Sequence, residues 1–371
     1  MGIMVGLPSP SGSEKDLQLN FGKNMTVQVE MRAPHLPAEW HLQSGIQLTW
    51  PHAGTDWAYM LTEVQECFVN IAKEIAKREL LLIVTPEPEE VRKQIASTVN
   101  MDNVRFLKCE TNDTWARDHG AITMIDTGNP SLLDFTFNGW GLKFAAELDN
   151  QITKQAVEAG ALKGQYIDCL DFVLEGGSIE SDGMGTLLTT SECLLSPQRN
   201  GKLNQVEIEE YLKSTFHLQK VLWLDHGYLA GDDTDSHIDT LARFCSTDTI
   251  AYVKCTDKAD EHYEALLAME EQLKTFRTLA GEPYRLLALP MADKIEEDGE
   301  RLPATYANFL ILNEAVLYPT YNQPENDRKA GEVLQQAFPK HQIIGIDCRA
   351  LIKQHGSLHC VTMQYPMGVL K

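Results

Sequence analysis

Residues 46–85 read IQLTWPHAGTDWAYMLTEVQECFVNIAKEIAKRELLLIVT. The segment opens on a short β-rich run at 46–50 and closes on a second at 80–85, built from leucine, isoleucine and valine. Between them, over residues 56–78, Met60, Val64, Cys67, Phe68, Ile71 and Ile75 keep apolar side chains on one face of a helix. Strand, amphipathic helix and strand in that order predict an α/β class. Further strand-like runs follow at 104–108, 121–125, 132–137, 186–190, 221–224, 250–254, 284–289, 309–312, 316–319, 343–346 and 360–364. Helical stretches sit between them at 88–98, 148–159, 204–216, 260–276 and 328–338.

Chemically loaded loops punctuate this alternation at 50–52, 115–118, 175–177, 233–237, Asn308 and 359–360. Their spacing of about 50 to 75 residues suggests internal repeats, each a ββαβ-like unit that delivers one loop to a common centre. No linker rich in Pro, Gly or Ser divides the chain, so one closed domain over 25–371 is expected. The first 24 residues, MGIMVGLPSPSGSEKDLQLNFGKN, show no period and precede Met25; they are set aside as a disordered or added leader.

Composition narrows the classes of function. A chain of 371 residues, 43% hydrophobic, can bury a large core. Its 53 acidic and 32 basic residues leave a formal charge of −21, which repels nucleic acid and anionic membranes and draws in small cations. Plain solubility explains the same charge. Eight cysteines with no CxxC pair fit neither a zinc site nor a disulfide framework, so reduced thiols in a cytoplasm are expected. No run of ~18 apolar residues offers a membrane span, and no export signal is read.

Four stretches carry reactive groups. Cys360 stands in HGSLHCVTMQ, residues 355–364, where a glycine turn leads into a strand expected to begin at the cysteine. A free thiol of pKa about 8.5 is only a few per cent thiolate at neutral pH, so it needs a base or a positive charge nearby. His359 is discounted as that partner, because neighbours on a strand point to opposite faces. In GDDTDSHID, residues 231–239, His237 and Asp239 face one side if the segment is extended, supplying an acid/base and a cation anchor. Asp232, Asp233 and Asp235 beside them leave open a metal site or a solvated acidic turn, although the EF-hand glycine and closing glutamate are missing. NDTWARDHG, residues 112–120, sets Asp118 beside Trp115 and Arg117, and LEGGSI, residues 174–179, ends an apolar run on Glu175. A carboxylate at the end of a buried strand must be paired or face a cavity.

One thiol, one histidine and several carboxylates suit a planar, permanently charged guanidinium. Two acids can hold its N–H fork in charge-assisted bonds while sulfur approaches the central carbon. A papain-like amidase would instead use Cys, His and Asn with backbone oxyanion donors, and has no need of several acids.

The ordered set TWPH (49–52), TWARDHGAI (114–122), LEGGSIESDG (174–183), GDDTDSHIDTLARF (231–244), LPATYANFLI (302–311) and HGSLHCVTMQ (355–364) resembles the agmatine deiminase family, relatives of bacterial peptidylarginine deiminase. The likeness runs from about Pro37 to Pro366. It implies a five-bladed α/β-propeller of ββαβ repeats with pseudo-fivefold symmetry. It also implies Cys360 as nucleophile, His237 as general acid/base and Glu175 as the acid that orients the histidine. Asp118 and Asp239 would bind the guanidinium, Trp115 would wall the pocket, and Asn308 matches a further polar position. The expected reaction is hydrolysis of agmatine to N-carbamoylputrescine and ammonia through a covalent thiouronium, with no metal and no organic cofactor. The expected partner is a small cationic guanidine; self-association is left open. Many members approach the nucleophile through Gly-Gly-Gly-Asn-Ile-His-Cys, and the His-Gly-Ser-Leu-His-Cys found here keeps arginine and peptidylarginine as alternative substrates. Those would call for a basic side chain in the pocket, and the directions of Arg117 and Arg243 are open. A guanidine- or polyamine-binding protein without turnover is the remaining alternative.

Overall fold

The computed structural model describes residues 34–126 and 130–371, so the leader expected at 1–24 lies outside the described residues. The opening α/β unit forms as its pattern requires. Strand β1 (Gln43–Thr49) runs parallel to β2 (Leu80–Thr85), and the helix Leu61–Ala76 crosses between them with Val64, Phe68, Ile71 and Ile75 buried. After the helix Pro88–Ile95, β3 (Val104–Lys108) adds a further parallel strand beside β2.

One plan then recurs, an antiparallel pair followed by a helical crossover to a parallel third strand. It is met first in β4 (Ile122–Met124), β5 (Ser131–Thr136) and β6 (Gln165–Val173), crossing through Ile152–Glu158. The next copy is β7 (Ile179–Ser181), β8 (Thr186–Thr190) and β9 (Lys220–Leu224), crossing through Gln205–Phe216. A third uses β10 (Ala242–Ser246), β11 (Thr249–Lys254) and β12 (Arg285–Pro290), crossing through Tyr263–Thr275. After a small hairpin, β13 (Glu296–Glu297) with β14 (Glu300–Arg301), a fourth follows in β15 (Leu310–Ile311), β16 (Ala315–Thr320) and β17 (Gln342–Asp347), crossing through Pro324–Ala337. Strand β18 (Thr362–Pro366) pairs antiparallel with β1 and gives the opening sheet the same order. The fold is therefore mixed α/β, with the ββαβ pattern appearing in five sheets.

Local chemistry explains several boundaries. Asn204 accepts from the backbone N–H groups of Val206 and Glu207 while Glu207 accepts from that of Asn204, a reciprocal cap that starts the helix at Gln205. Two expectations about the reactive loops are corrected. The C-terminal strand begins at Thr362, so Cys360 sits in the turn before it. The segment after His237 is a helical turn, Ile238–Leu241, through which the loop enters β10, and Thr240 Oγ1 donates back to the His237 carbonyl. No helix among the described residues is long and apolar enough to cross a membrane.

Candidate active site

Turns that precede or follow the sheets bring the expected residues together. Cys360 is 5% exposed, and its Sγ lies 3.4 Å from Asn308 Oδ1 and 4.0 Å from Asp239 Oδ2. Asn308 fastens this turn: its Oδ1 also accepts the backbone N–H groups of His359 (2.8 Å) and Cys360 (3.3 Å), while its Nδ2 donates to the Asp239 carbonyl at 3.3 Å. Arg117 ties in a further loop, its backbone N–H donating to the Cys360 carbonyl at 3.1 Å.

Asp118 occupies the helical turn Ala116–His119, wholly within the interior. Its Oδ2 accepts the indole N–H of Trp140 at 2.9 Å and its Oδ1 the backbone N–H of Gly177 at 3.0 Å, with His237 Nδ1 3.6 Å away. Gly177 is required by this closeness. A Cβ there would lie 2.6 Å from His237 Nδ1, 2.7 Å from Asp118 Oδ1 and 3.2 Å from Asp239 Oδ2. His237, at the start of its turn, is fully buried with no hydrogen-bond partner for either ring nitrogen. Asp239 accepts from His359 Nδ1 through Oδ2 at 2.7 Å, and its Oδ1 has no partner. Buried polar atoms left open in this way mark groups poised for something that binds.

Glu175 is placed differently from a simple His237 partner. Its two oxygens take Arg199 Nε at 2.8 and 3.1 Å, and Arg199 in turn reaches Asp235 at 2.6 Å and the Thr234 carbonyl at 2.9 Å. A Glu175 oxygen still lies within 4.8 Å of a His237 ring nitrogen and of Cys193 Sγ. Asp235 also receives Lys143 at 2.8 Å, and Asp232 caps the backbone N–H groups of Thr234 and Ser236, so these acids hold the loop in shape. Two groups, Glu175 with Cys193 and His237, and Glu39 with Glu180 and His359, are close enough to hold a metal ion. In both, a buried arginine (Arg199 or Arg243) already pairs with the carboxylates.

The electrostatics divide the acids. Burial, with Asp239 and Glu175 adding to it, pushes the Asp118 carboxyl well above the ordinary range. Burial opposes ionisation of Asp239 too, yet the hydrogen bond and charge of His359, then His237 and Arg243, hold its carboxyl below the usual value. Burial takes His237 down to about 3, so its imidazole is neutral. Burial and the two acids push the Cys360 thiol well up. The site thus pairs a thiol and a neutral histidine with one carboxyl that holds its proton more tightly than usual and one that holds it less tightly.

A narrow cleft, partly open to solvent, reaches Cys360. Trp115, Trp140 and Phe144 wall it, and Asp56, Asp113 and Asp233 add charge along it, with no lysine or arginine among the described lining residues. The indoles of Trp57 and Trp115 donate to Asp113, which fixes the wall. The turn at Gly356 lies against Trp115 so closely that a Cβ would meet the ring.

Sequence reasoning missed Trp140, Arg199 and His359. Trp140 lies in NGWGL, residues 138–142, whose pair of glycines signalled a turn but not its direction, and all of Gly139–Leu142 takes positive φ. His359 was discounted on a strand geometry that does not exist there: in the turn, both it and Cys360 approach Asp239 Oδ2.

Comparison with known proteins identifies the family. A crystal structure of a Porphyromonas gingivalis protein provisionally described as an arginine deiminase is 51% identical, with a TM-score of 0.86 over 91% of this chain and 100% of that one. A cysteine-to-serine variant of C. jejuni agmatine deiminase with substrate bound is 39% identical, with a TM-score of 0.84 over 94% of this chain and 100% of its own. A Marinomonas protein provisionally described as an agmatine deiminase is 32% identical over 351 residues, 89% of this chain and 94% of the relative. Residues 35–366 match the Porphyromonas-type peptidyl-arginine deiminases, and the chain belongs to that family.

Proposed function

We propose that this deiminase hydrolyses agmatine to N-carbamoylputrescine and ammonia, with Cys360 as nucleophile and His237 as general acid/base. The observation that carries the substrate choice is the cleft: acids and aromatic rings line it beside His355, with no lysine or arginine among its described lining residues. A diamine-like tail ending in an ammonium suits such a lining, whereas the α-carboxylate of arginine would meet like charge. The reading extends to architecture, with the five ββαβ units as blades about a pseudo-fivefold axis in one catalytic domain over 25–371. The pairing of the first strand with the last supports it. Eight unbridged, buried cysteines support residence in a reducing cytoplasm.

In the mechanism, Asp118 and Asp239 take the N–H groups of the guanidinium, and the aromatic walls sequester it. The substrate's charge favours the thiolate, and the neutral His237 accepts the thiol proton. Sulfur adds to the central carbon. The carbon–nitrogen bond to a terminal nitrogen then breaks as His237 returns the proton, giving ammonia and a thiouronium on Cys360. Water follows, losing a proton to His237 as its oxygen bonds to carbon. Collapse expels the sulfur and leaves the ureido product. Glu175, locked by Arg199, supplies fixed negative charge beside His237 when that ring becomes cationic.

Ammonia release should therefore be faster from agmatine than from arginine, with kcat/KM for arginine lower by about 10²-fold from like-charge contact in the cleft. Comparable or preferred turnover of arginine would select the amino-acid substrate instead, the reading favoured by the description of the P. gingivalis relative. Binding without release would select a non-catalytic role.

Proton linkage offers a second test. Burial, with Asp239 and Glu175 adding to it, makes the Asp118 carboxyl hold its proton more tightly than usual in the free protein, and a bound guanidinium favours the ionised form. Agmatine binding should release protons, and affinity should rise with pH until Asp118 ionises unaided. Calorimetry in buffers of different ionisation heat reads this directly. Binding with no proton release would remove Asp118 from the clamp.

A further inference from the structure

Behind Asp239 lies a buried ionic row whose other members the mechanism above does not use. His359 lies between two carboxylates, with Nδ1 at 2.7 Å from Asp239 Oδ2 and Nε2 at 2.7 Å from Glu39 Oε2. Arg243 Nη2 reaches the same Glu39 oxygen at 2.5 Å and lies 3.1 Å from His359 Nε2, while its Nε donates to Glu180. All five side chains are buried. A small pocket, partly open to solvent, borders Glu39, Glu180 and His359. The cleft that opens on Cys360 has none of these three in its wall.

Two features show that the row does more than fill the core. A buried ion network of this size contributes little net stability, because desolvation offsets most of the attraction. The row also ends on a clamp acid: it occupies Asp239 Oδ2 and leaves Oδ1 without a partner. His359 sets a ring nitrogen against a carboxylate oxygen on each side, and its hydrogen bond and charge both act to lower the Asp239 carboxyl. Arg243 extends the support to the nucleophile. Its Nη1 donates to the carbonyls of Phe309 (2.6 Å) and Ala307 (3.3 Å), on either side of the Asn308 that carries the Cys360 turn.

We propose that His359, held by Glu39 and Arg243, is a positioning residue that keeps Asp239 ionised and aims its open oxygen at the guanidinium. This rests on the deiminase reading above. The charged and titratable groups facing Asp239 are His237, Asp118, Asp232, Cys360, Arg243 and Arg117 besides His359. Those facing His359 are Glu39, Asp239, Arg243 and Glu180, with Arg117 Nε 3.5 Å from its carbonyl. Asp239 loses its cationic neighbour when His359 is replaced, so its carboxyl titrates at higher pH.

The test is kcat and KM for ammonia release from agmatine across pH in His359→Asn and Glu39→Gln. His359→Asn should raise KM about tenfold or more through the weakened charge-assisted bond, with kcat changed less. The acid limb of kcat/KM should move to higher pH. Glu39→Gln, which keeps the side-chain shape, should move the limb in the same direction by less, and it stands as the test if His359→Asn does not fold. A merely structural role would lower thermal stability and leave the limb in place, and that result would overturn the assignment. Absence of ammonia from every guanidine tried with the unaltered chain would instead defeat the deiminase reading, and the positioning role with it.

Discussion

Replacement of Cys360 by serine should reduce ammonia release from agmatine by about 10⁵-fold or more, as removal of a nucleophile does in enzymes that form covalent intermediates. The size of the effect follows from the site. The Cys360 thiol is buried near Asp239 and Asp118; burial and these acids raise its pKa, so the free protein holds little thiolate. Agmatine itself must bring the positive charge that makes sulfur ionise, and a serine hydroxyl is far too weak an acid to respond in the same way. Binding should survive, because the clamp oxygens and aromatic walls are untouched; calorimetry should show agmatine affinity within about threefold of the unaltered protein, ~0.6 kcal/mol. Alkylation adds a check. Iodoacetamide should label Cys360 slowly in the free protein, given the raised thiol and its burial. Substantial turnover by Cys360→Ser would sink the nucleophile assignment, and attention would pass to Cys193, whose sulfur lies within 4.8 Å of a His237 nitrogen.

What the chain displays of its own fold depends on where each strand lies. Leu80–Thr85 was legible to the residue because nearly all of it is buried, so it reads as a continuous apolar run. Gln165–Val173 was passed over: it is the last strand of its sheet, and most of its side chains, Asp168 and Asp171 among them, lie at least partly in the open. Ala242–Ser246 was passed over for the opposite reason. It is buried except at Ser246, but Arg243 breaks its apolar pattern, and Glu39 and Glu180 from distant segments make that charge tolerable there. The site divides in the same way. Residue types within short motifs revealed Cys360, His237 and Asp239, since thiol, imidazole and carboxylate announce chemistry by identity. Partners contributed from afar did not. Arg199 is 24 residues from Glu175, and Glu39 is 320 from His359. Neither separation has a period from which proximity could be read. His359 shows the converse error, where an assumed strand gave a side-chain direction that the turn at Cys360 abolishes.

Gly177 carries the second large effect. Gly177→Ala should lower kcat/KM for agmatine by about 10²-fold or more, since a displacement of order 1 Å in catalytic groups costs that much. The new methyl group would stand 2.6 Å from His237 Nδ1 and 2.7 Å from Asp118 Oδ1, and 3.2 Å from Asp239 Oδ2. None of the three can yield freely. Asp118 is held by Trp140 and by the Gly177 N–H itself, Asp239 by His359, and His237 sits in a packed interior. Backbone strain is not the cause, since φ at Gly177 lies outside the positive range where glycine alone is comfortable. The damage is therefore local, an overpacking cost of about 1–3 kcal/mol in stability, which a domain of this size can absorb while its clamp is forced apart. Both KM and kcat should suffer, because the acids that bind and the histidine that moves protons are displaced together. Thermal unfolding and circular dichroism would show a folded protein, and ammonia assays a failed one. If Gly177→Ala turned over agmatine at the unaltered rate, His237, Asp118 and Asp239 could not be the groups that converge on the reacting carbon.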